Sequence, residues 1–368
     1  MNYTKRTIAA TLLSCSLLLT GCGAANNTQA VQPSANVTAV ALANSSDPEA
    51  DQKSIIFVES MDTFMTLTAY GSSRDKVLDM AKAEIERLND LFSIGVESSD
   101  ISLLNASGSY TVTDETALVI RRAMEINSMT GGLFDISVLP IMELWGFTNK
   151  EYKVPSSEEL SSALLTVGLE KVTLNDATGY VELHTGSRID LGGIAKGYTS
   201  GKVIELMREA GLESAIISLG GNIHCLNLKP DGSRWKVGIR DPRGDEGSYC
   251  AVIEVENKAV ITSGGYERYF IDEETGTTYC HIIDPATGIP VDSDLLSVSI
   301  ISEDGALADG LSTSLYIMGL EKASEFWKEY SDLFDIFLID DDGKMYASEG
   351  LEGLCRTVGG EQVNIIRH

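Results

Sequence analysis

The stretch Asp190-Leu-Gly-Gly-Ile-Ala-Lys-Gly-Tyr198 constrains this chain more than any other. An alternating run (179–189) precedes it, and an amphipathic one carrying Val203, Ile204 and Met207 follows. The pattern is a strand, a glycine turn and the start of a helix. Glycines admit close approach of a ligand to the backbone, and a helix N-terminus offers unpaired N–H groups to an anion. Lys196 adds a mobile positive charge and Asp190 an acceptor. Neither G-x-G-x-x-G nor G-x-x-x-x-G-K-[ST] spacing is present, so the dinucleotide and P-loop readings both fail. A tight strand–helix connection would look the same, so the rest of the chain has to decide.

Strand-like segments come in runs, with helices between the runs. Residues 55–70 read as two strands around Met61-Asp62-Thr63, and apolar positions from Arg74 to Phe92 recur at helical spacing. A helix is expected from Glu115 to Thr130, opened by Asp114 and closed by Gly131-Gly132. The apolar run 133–147, broken by Pro140, reads as core, with Asp135 its one conspicuous acid. Ser156 and Glu159 form a capping-box pattern for a short helix to Leu165. Further strands are expected around 172–174, 180–183, 214–222, 235–240, 249–256, 259–262 and 296–301. Hairpins are expected at 266–283 and 334–347, and helices at 305–318 and on to Tyr330. Such grouping is not strict βαβ alternation. It predicts an α+β fold, one large domain over 51–368 with a mixed, mainly antiparallel sheet and flanking helices.

Ahead of that domain the composition changes. Lys5 and Arg6, the apolar run Ile8 to Leu19 and the exit Leu19-Thr20-Gly21-Cys22 make residues 1–21 a secretory leader. The apolar run is too short to span a bilayer. A cysteine directly after Leu-Thr-Gly resembles the lipobox of bacterial lipoproteins, which would acylate Cys22 and anchor an extracytoplasmic protein to the cell membrane. A plain secretory signal with a chance cysteine is the simpler alternative. Residues 22–50, poor in large apolar side chains, read as a flexible tether. Losing Lys5 and Arg6 with the leader takes the formal charge from −26 to −28. No basic stripe exists to neutralise phosphates, which argues against nucleic acid. Cys225, Cys250, Cys280 and Cys355 remain, without C-x-x-C spacing, so a zinc site is not indicated and the thiols are either paired or buried.

Within the domain, Asp309 and Thr313 stand four apart on an expected helix, one turn apart on one face. A carboxylate, a hydroxyl and a backbone carbonyl suit a hard cation such as Mg²⁺, which keeps positions open for water and phosphate. Spacing alone favours the plainer reading, an acid and a threonine that meet solvent or a backbone group, since few such pairs are ligands. His281 is the one histidine in a polar, turn-forming setting; His184 and His224 fit structural roles on strands, and His368 ends the chain. Gly220-Gly221-Asn222 and Gly264-Gly265 are two more turns that backbone could offer to a ligand. Together these suggest a phosphate-bearing ligand.

Seven motifs occur in order: Met61-Asp-Thr63, Leu133-Phe-Asp135 with Leu144-Trp-Gly-Phe147, Asp190 to Gly197, Ser218-Leu-Gly-Gly-Asn222, Thr262-Ser-Gly264 with Tyr266-Glu-Arg-Tyr-Phe270, His281-Ile-Ile-Asp-Pro285, and Ala308-Asp-Gly-Leu-Ser-Thr313. This series, over roughly residues 55–320, resembles that of the FAD:protein FMN transferases, the ApbE family of flavin-handling lipoproteins. The resemblance implies a Mg²⁺-dependent cut of the FAD pyrophosphate. FMN passes to a Thr or Ser hydroxyl of an exported protein, typically a respiratory or redox subunit, and AMP is released. It also implies roles. Asp309, Thr313 and the Ala195 carbonyl would hold the metal. Asp190, Gly192, Gly193 and Lys196 would line the diphosphate site. Met61, Gly220, Gly221 and Asn222 would shape the FAD pocket, and His281 would be the base. Two positions depart from the pattern: Asp62, where many relatives have Gly, and Gly265, where many have Asp. Hydrolysis of FAD to FMN and AMP, or FAD capture without turnover, are the alternative readings.

Overall fold

The computed structural model describes residues 39–41, 53–245 and 247–368. The leader and Cys22 lie outside them. Within the stretch expected as a tether, Ala39–Ala41 forms a short strand paired antiparallel with Trp235–Arg240.

A nine-stranded sheet organises the described residues. Its strands are Lys53–Ser60 (β1), Thr63–Tyr70 (β2), Ser214–Leu219 (β3), Asn222–Leu226 (β4), Ala259–Gly264 (β5), Leu295–Ser302 (β6), Asp335–Asp340 (β7), Met345–Ser348 (β8) and Val363–Ile366 (β9). They lie side by side in chain order, and every neighbouring pair is antiparallel except β8–β9. This meander bears out the α+β expectation. Insertions into it supply everything else.

Between β2 and β3 come α1 (Arg74–Phe92), α2 (Asp100–Ser107), α3 (Asp114–Met129), α4 (Leu139–Leu144), α5 (Ser157–Leu164) and α6 (Ala195–Glu209). A small sheet of Ser109–Thr111, Tyr180–Leu183 and Val172–Asn175 joins them. Between β6 and β7 runs α7 (Gly305–Tyr330), broken at Gly319, whose φ of 75° and ψ of 174° are not helical. The Ser156 capping box is formed, with both reciprocal bonds present.

Three layers result. On one face, α1 and α6 bury Val77, Leu78, Ile85, Val203 and Met207 against Met65, Leu67 and Ile217. Beside them α7 packs on β5, β6 and β7 through Leu311, Leu315, Ile261 and Ile300, and α3 packs on α7 through Ile126. On the other face, Trp235–Arg240 and Tyr249–Val255 cover Ile216, Ile223, Val260 and Phe337. Alternation along each strand therefore feeds two cores, as a sheet covered on both faces requires. A satellite cluster of Ile141, Trp145, Phe147 and Val167 sits under the 265–291 insertion. All four cysteines among the described residues are free thiols. Burial pushes the Cys250 and Cys355 thiols up to about 12 and about 11, which leaves them protonated and unreactive.

Candidate active site

Two-residue turns bring the site together at one end of the sheet. Ser60 pairs with Thr63, so Met61 and Asp62 form the β1–β2 turn with φ of 51° and 56°. Leu219 pairs with Asn222, so Gly220 and Gly221 form the β3–β4 turn with φ of 61° and 97°. Both positions of such a turn need positive φ, which Gly supplies freely and Asp tolerates. The two turns touch: a Cβ on Gly220 would lie 2.4 Å from the Thr63 hydroxyl. Met61 is fixed from outside, its N–H donating to Asn89 Oδ1 (3.3 Å) and its sulfur accepting from the Thr199 hydroxyl (3.8 Å).

The start of α6 lies against the same end. Asn105 brackets Ile189, donating to its carbonyl and accepting its N–H, both at 2.8 Å. That clamp delivers Asp190, whose Oδ1 accepts the Gly192 N–H at 3.0 Å. Gly192 and Gly193 are exposed, and the N-cap residue of α6, Ile194, has no side-chain acceptor of its own. Ala195 is its first residue, and Lys196 reaches back to within 3.5 Å of the Gly192 carbonyl. The N–H groups of Gly192, Ile194, Ala195 and Gly197 already have acceptors, so what this turn offers a diphosphate is the exposed backbone at Gly192 and Gly193 beside the Lys196 ammonium.

Where α6 crosses α7, two glycines permit direct backbone contact. A Cβ on Gly197 would meet the Gly305 carbonyl at 2.1 Å, and one on Gly305 would meet the Gly197 carbonyl at 2.4 Å. At this crossing Asp309, only 5% exposed, accepts the Gly197 N–H on Oδ2 (2.8 Å) and the Asn222 amide on Oδ1 (3.0 Å). Asp309 thus caps the first turn of α6 from another helix. Thr313 follows one turn along α7, half-buried. Among the described residues no group of three His, Cys, Asp or Glu could form a protein-only metal cage. One fixed carboxylate with neutral oxygens beside an exposed glycine turn and a lysine instead fits a hard cation shared with phosphate.

His281 comes from the 265–291 insertion. Its backbone N–H and its Nδ1 both meet the Arg268 carbonyl, at 2.9 and 3.2 Å. A carbonyl only accepts, so Nδ1 carries the proton and Nε2 is left as the basic nitrogen. Burial, then the positive charges of Arg268 and Lys196, hold His281 down to about 3. Asp190 is pushed up by burial against the pull of the Gly192 N–H, Arg268 and Lys196, and Asp62 adds to the rise. Lys196 therefore faces both halves of the site.

Three participants went unassigned from sequence. Arg268 charges both Asp190 and His281, and Glu267, pushed up to about 8 by burial, feels Arg240 and Lys196. Both stand in the Tyr266–Phe270 motif, so their charges were the available signal. The Gly197–Gly305 contact had none. The departure at Gly265 has a structural counterpart: a Cβ there would lie 2.5 Å from the Tyr316 hydroxyl. His224, expected as structural, is buried with Nδ1 3.1 Å from the Ser200 hydroxyl, which donates to the Gly197 carbonyl.

The ApbE family profile matches residues 61–337, three quarters of the chain and the whole of this site. The chain belongs to the ApbE family. An FAD:protein FMN transferase of Treponema pallidum is 34% identical over 285 residues, covering 73% of this chain and 78% of that protein. One from Vibrio cholerae is 33% identical over 277 residues, covering 73% and 81%. The crystal structure of the ApbE protein from Thermotoga maritima superposes with a TM-score of 0.77 at 30% identity, over 82% of this chain and 99% of that one. The flavin transferase ApbE from Vibrio cholerae gives 0.73 at 28% identity, over the same shares.

Proposed function

We propose that this ApbE-family chain transfers FMN from FAD to a Thr or Ser hydroxyl of an exported protein, releasing AMP. One observation carries the reading. The carboxylate of Asp309 is fixed against the first turn of α6, next to the exposed glycine turn and Lys196, with a neutral histidine on the 265–291 insertion whose charge neighbours include Lys196.

The exposed glycine turn 192–193 and Lys196 bind and orient the diphosphate, while Met61 and the 220–221 turn border the pocket. Asp309, Thr313 and the Ala195 carbonyl would hold a Mg²⁺ ion, which when bound supplies neutralisation of phosphate charge. The acceptor hydroxyl oxygen forms a bond to the phosphorus of the FMN moiety as the bond to the bridging anhydride oxygen breaks. That oxygen leaves with AMP. Nε2 of His281 takes the hydroxyl proton. Burial is the main cause that holds His281 down, and the charges of Arg268 and Lys196 add to it. A diphosphate beside Lys196 offsets the charge contribution, which raises the basicity of His281 when substrate is bound. The geometry asks the protein for position and charge more than for covalent chemistry.

Residues 1–21 as a leader, acylation at Cys22 and an extracytoplasmic, membrane-anchored location complete the proposal. An exported acceptor would be met on that side of the membrane. Replacing Cys22 by Ala should move the protein from the membrane to the soluble fraction; continued anchoring would refute lipidation there.

The test mixes the protein with FAD and Mg²⁺, with and without an exported acceptor. AMP is followed by chromatography and the acceptor by in-gel flavin fluorescence. AMP with a fluorescent acceptor band is expected. AMP with free FMN alone would make the chain a hydrolase, and bound FAD with no AMP would make it a flavin carrier.

A further inference from the structure

The resemblance places Asn222 in the flavin pocket, yet the residue is only 3% exposed and offers a flavin almost nothing to touch. What it does touch is Asp309. We propose that Asn222 is a positioning residue that fixes the Asp309 carboxylate, so that metal affinity, and not flavin affinity, depends on it. This deepens the proposed function and rests on Asp309 being a metal ligand.

An ionised carboxylate only accepts, so the amide must present its nitrogen to Asp309. The bond is 3.0 Å long to Oδ1, and the Gly197 N–H takes Oδ2 at 2.8 Å. The terminal torsion of an aspartate is otherwise soft. Two donors from two separate elements, β4 and α6, set its plane and leave each oxygen further acceptor capacity for a cation. Asn222 cannot shift to follow a moving carboxylate. It is the first residue of β4, locked by the Gly220–Gly221 turn and paired with Leu219. Two residues along the same strand face, His224 meets Ser200, which bonds the Gly197 carbonyl. β4 therefore holds both the metal-ligating side chain and the helix turn that shares it. Partners that orient ligands in this way are worth roughly 10- to 100-fold in metal affinity.

The test measures Mn²⁺ binding to the full chain by electron paramagnetic resonance of free Mn²⁺, and FAD binding in EDTA by flavin fluorescence. Wild type is compared with Asn222→Ala and with Asn222→Leu, which keeps the volume and removes the donor. The expected result is a Mn²⁺ Kd raised about 10- to 100-fold, an FAD affinity within twofold of wild type, and AMP release restored by excess Mn²⁺. If Asn222→Ala does not fold, Asn222→Leu carries the comparison. Unchanged Mn²⁺ affinity, or a loss of FAD affinity with Mn²⁺ retained, overturns the role of Asn222 alone. A wild type that binds no Mn²⁺ overturns the metal site, and this role with it.

Discussion

The two halves of the site are built from different material. The half proposed to hold the metal and the diphosphate stands on long helices crossing in backbone contact at Gly197 and Gly305, with Asp309 and Asn222 nearly inaccessible. The half that carries His281 stands on strands of two or three residues, Tyr269–Ile271, Thr278–Cys280, Ile283–Asp284 and Ile289–Pro290. What anchors it is aromatic: Phe270 stacks on Tyr152 at 5.1 Å, and Tyr279 packs on Trp145 at 4.9 Å. Its outer side chains, Tyr269 and Ile271, face solvent. The contrast matches the chemistry proposed. A diphosphate and a cation need fixed charges, whereas a protein acceptor must approach the histidine from outside. Rigidity is spent on the small ligand and access is left to the large one.

Each half should fail in its own way. Asp309→Ala should have the largest effect, lowering Mg²⁺-dependent AMP release at least about a thousandfold; activity within tenfold of wild type would remove Asp309 from the metal. His281→Ala should leave FAD binding intact and slow transfer by about 10²- to 10⁴-fold, read as a drop in kcat at unchanged flavin affinity. A glycine pair then compares the two frameworks directly. Gly197→Ala pushes a methyl into the Gly305 carbonyl and should cost about 1–3 kcal/mol in denaturant unfolding. Gly276→Ala, in the insertion at φ 71° with open space around it, should cost about 1 kcal/mol. Equal costs would dissolve the distinction.

The smallest effect is a shift in pH dependence. Because the folded state holds His281 near 3, the acid limb of kcat/KM for the free enzyme should fall well below the ordinary histidine value of about 6.5. Arg268→Met removes one of the charges responsible and should move that limb upward; an unmoved limb would detach Arg268 from His281. The same depression makes a stability statement. The neutral ring favours the folded state above about pH 6.5, and that contribution is lost as pH falls from there toward 3.

Local structure was largely legible because local chemistry writes it. Apolar spacing delimits α1 at its observed ends, Arg74 and Phe92, and Ser156 with Glu159 announces the α5 capping box. Asp309 and Thr313 share a helix face because a period of 3.6 requires it. Elements without a pattern of their own were not visible. Helix α2 buries Ile101 and Leu104 in only two turns, and its buried Asp100 serves Thr113 and Thr116. β4 follows the Gly220-Gly221 turn, where the apolar pattern of the strand from Ser214 breaks off, and parallel β9 has only β8 to define it. In the site, what escaped was distance along the chain. Asp309 meets Gly197 across 112 residues and Asn222 across 87, and no spacing rule reaches that far. The role of Asn222 follows from that meeting, not from its motif.

The most direct test of a divided site is one single-turnover experiment on wild type, Asp309→Ala and His281→Ala. FAD binding is read by flavin fluorescence, and AMP release in the presence of acceptor is read with and without Mg²⁺. The account predicts that His281→Ala binds FAD and Mg²⁺ like wild type and releases AMP slowly, while Asp309→Ala loses its response to Mg²⁺. Loss of FAD binding in His281→Ala, or a full Mg²⁺ response in Asp309→Ala, would contradict it.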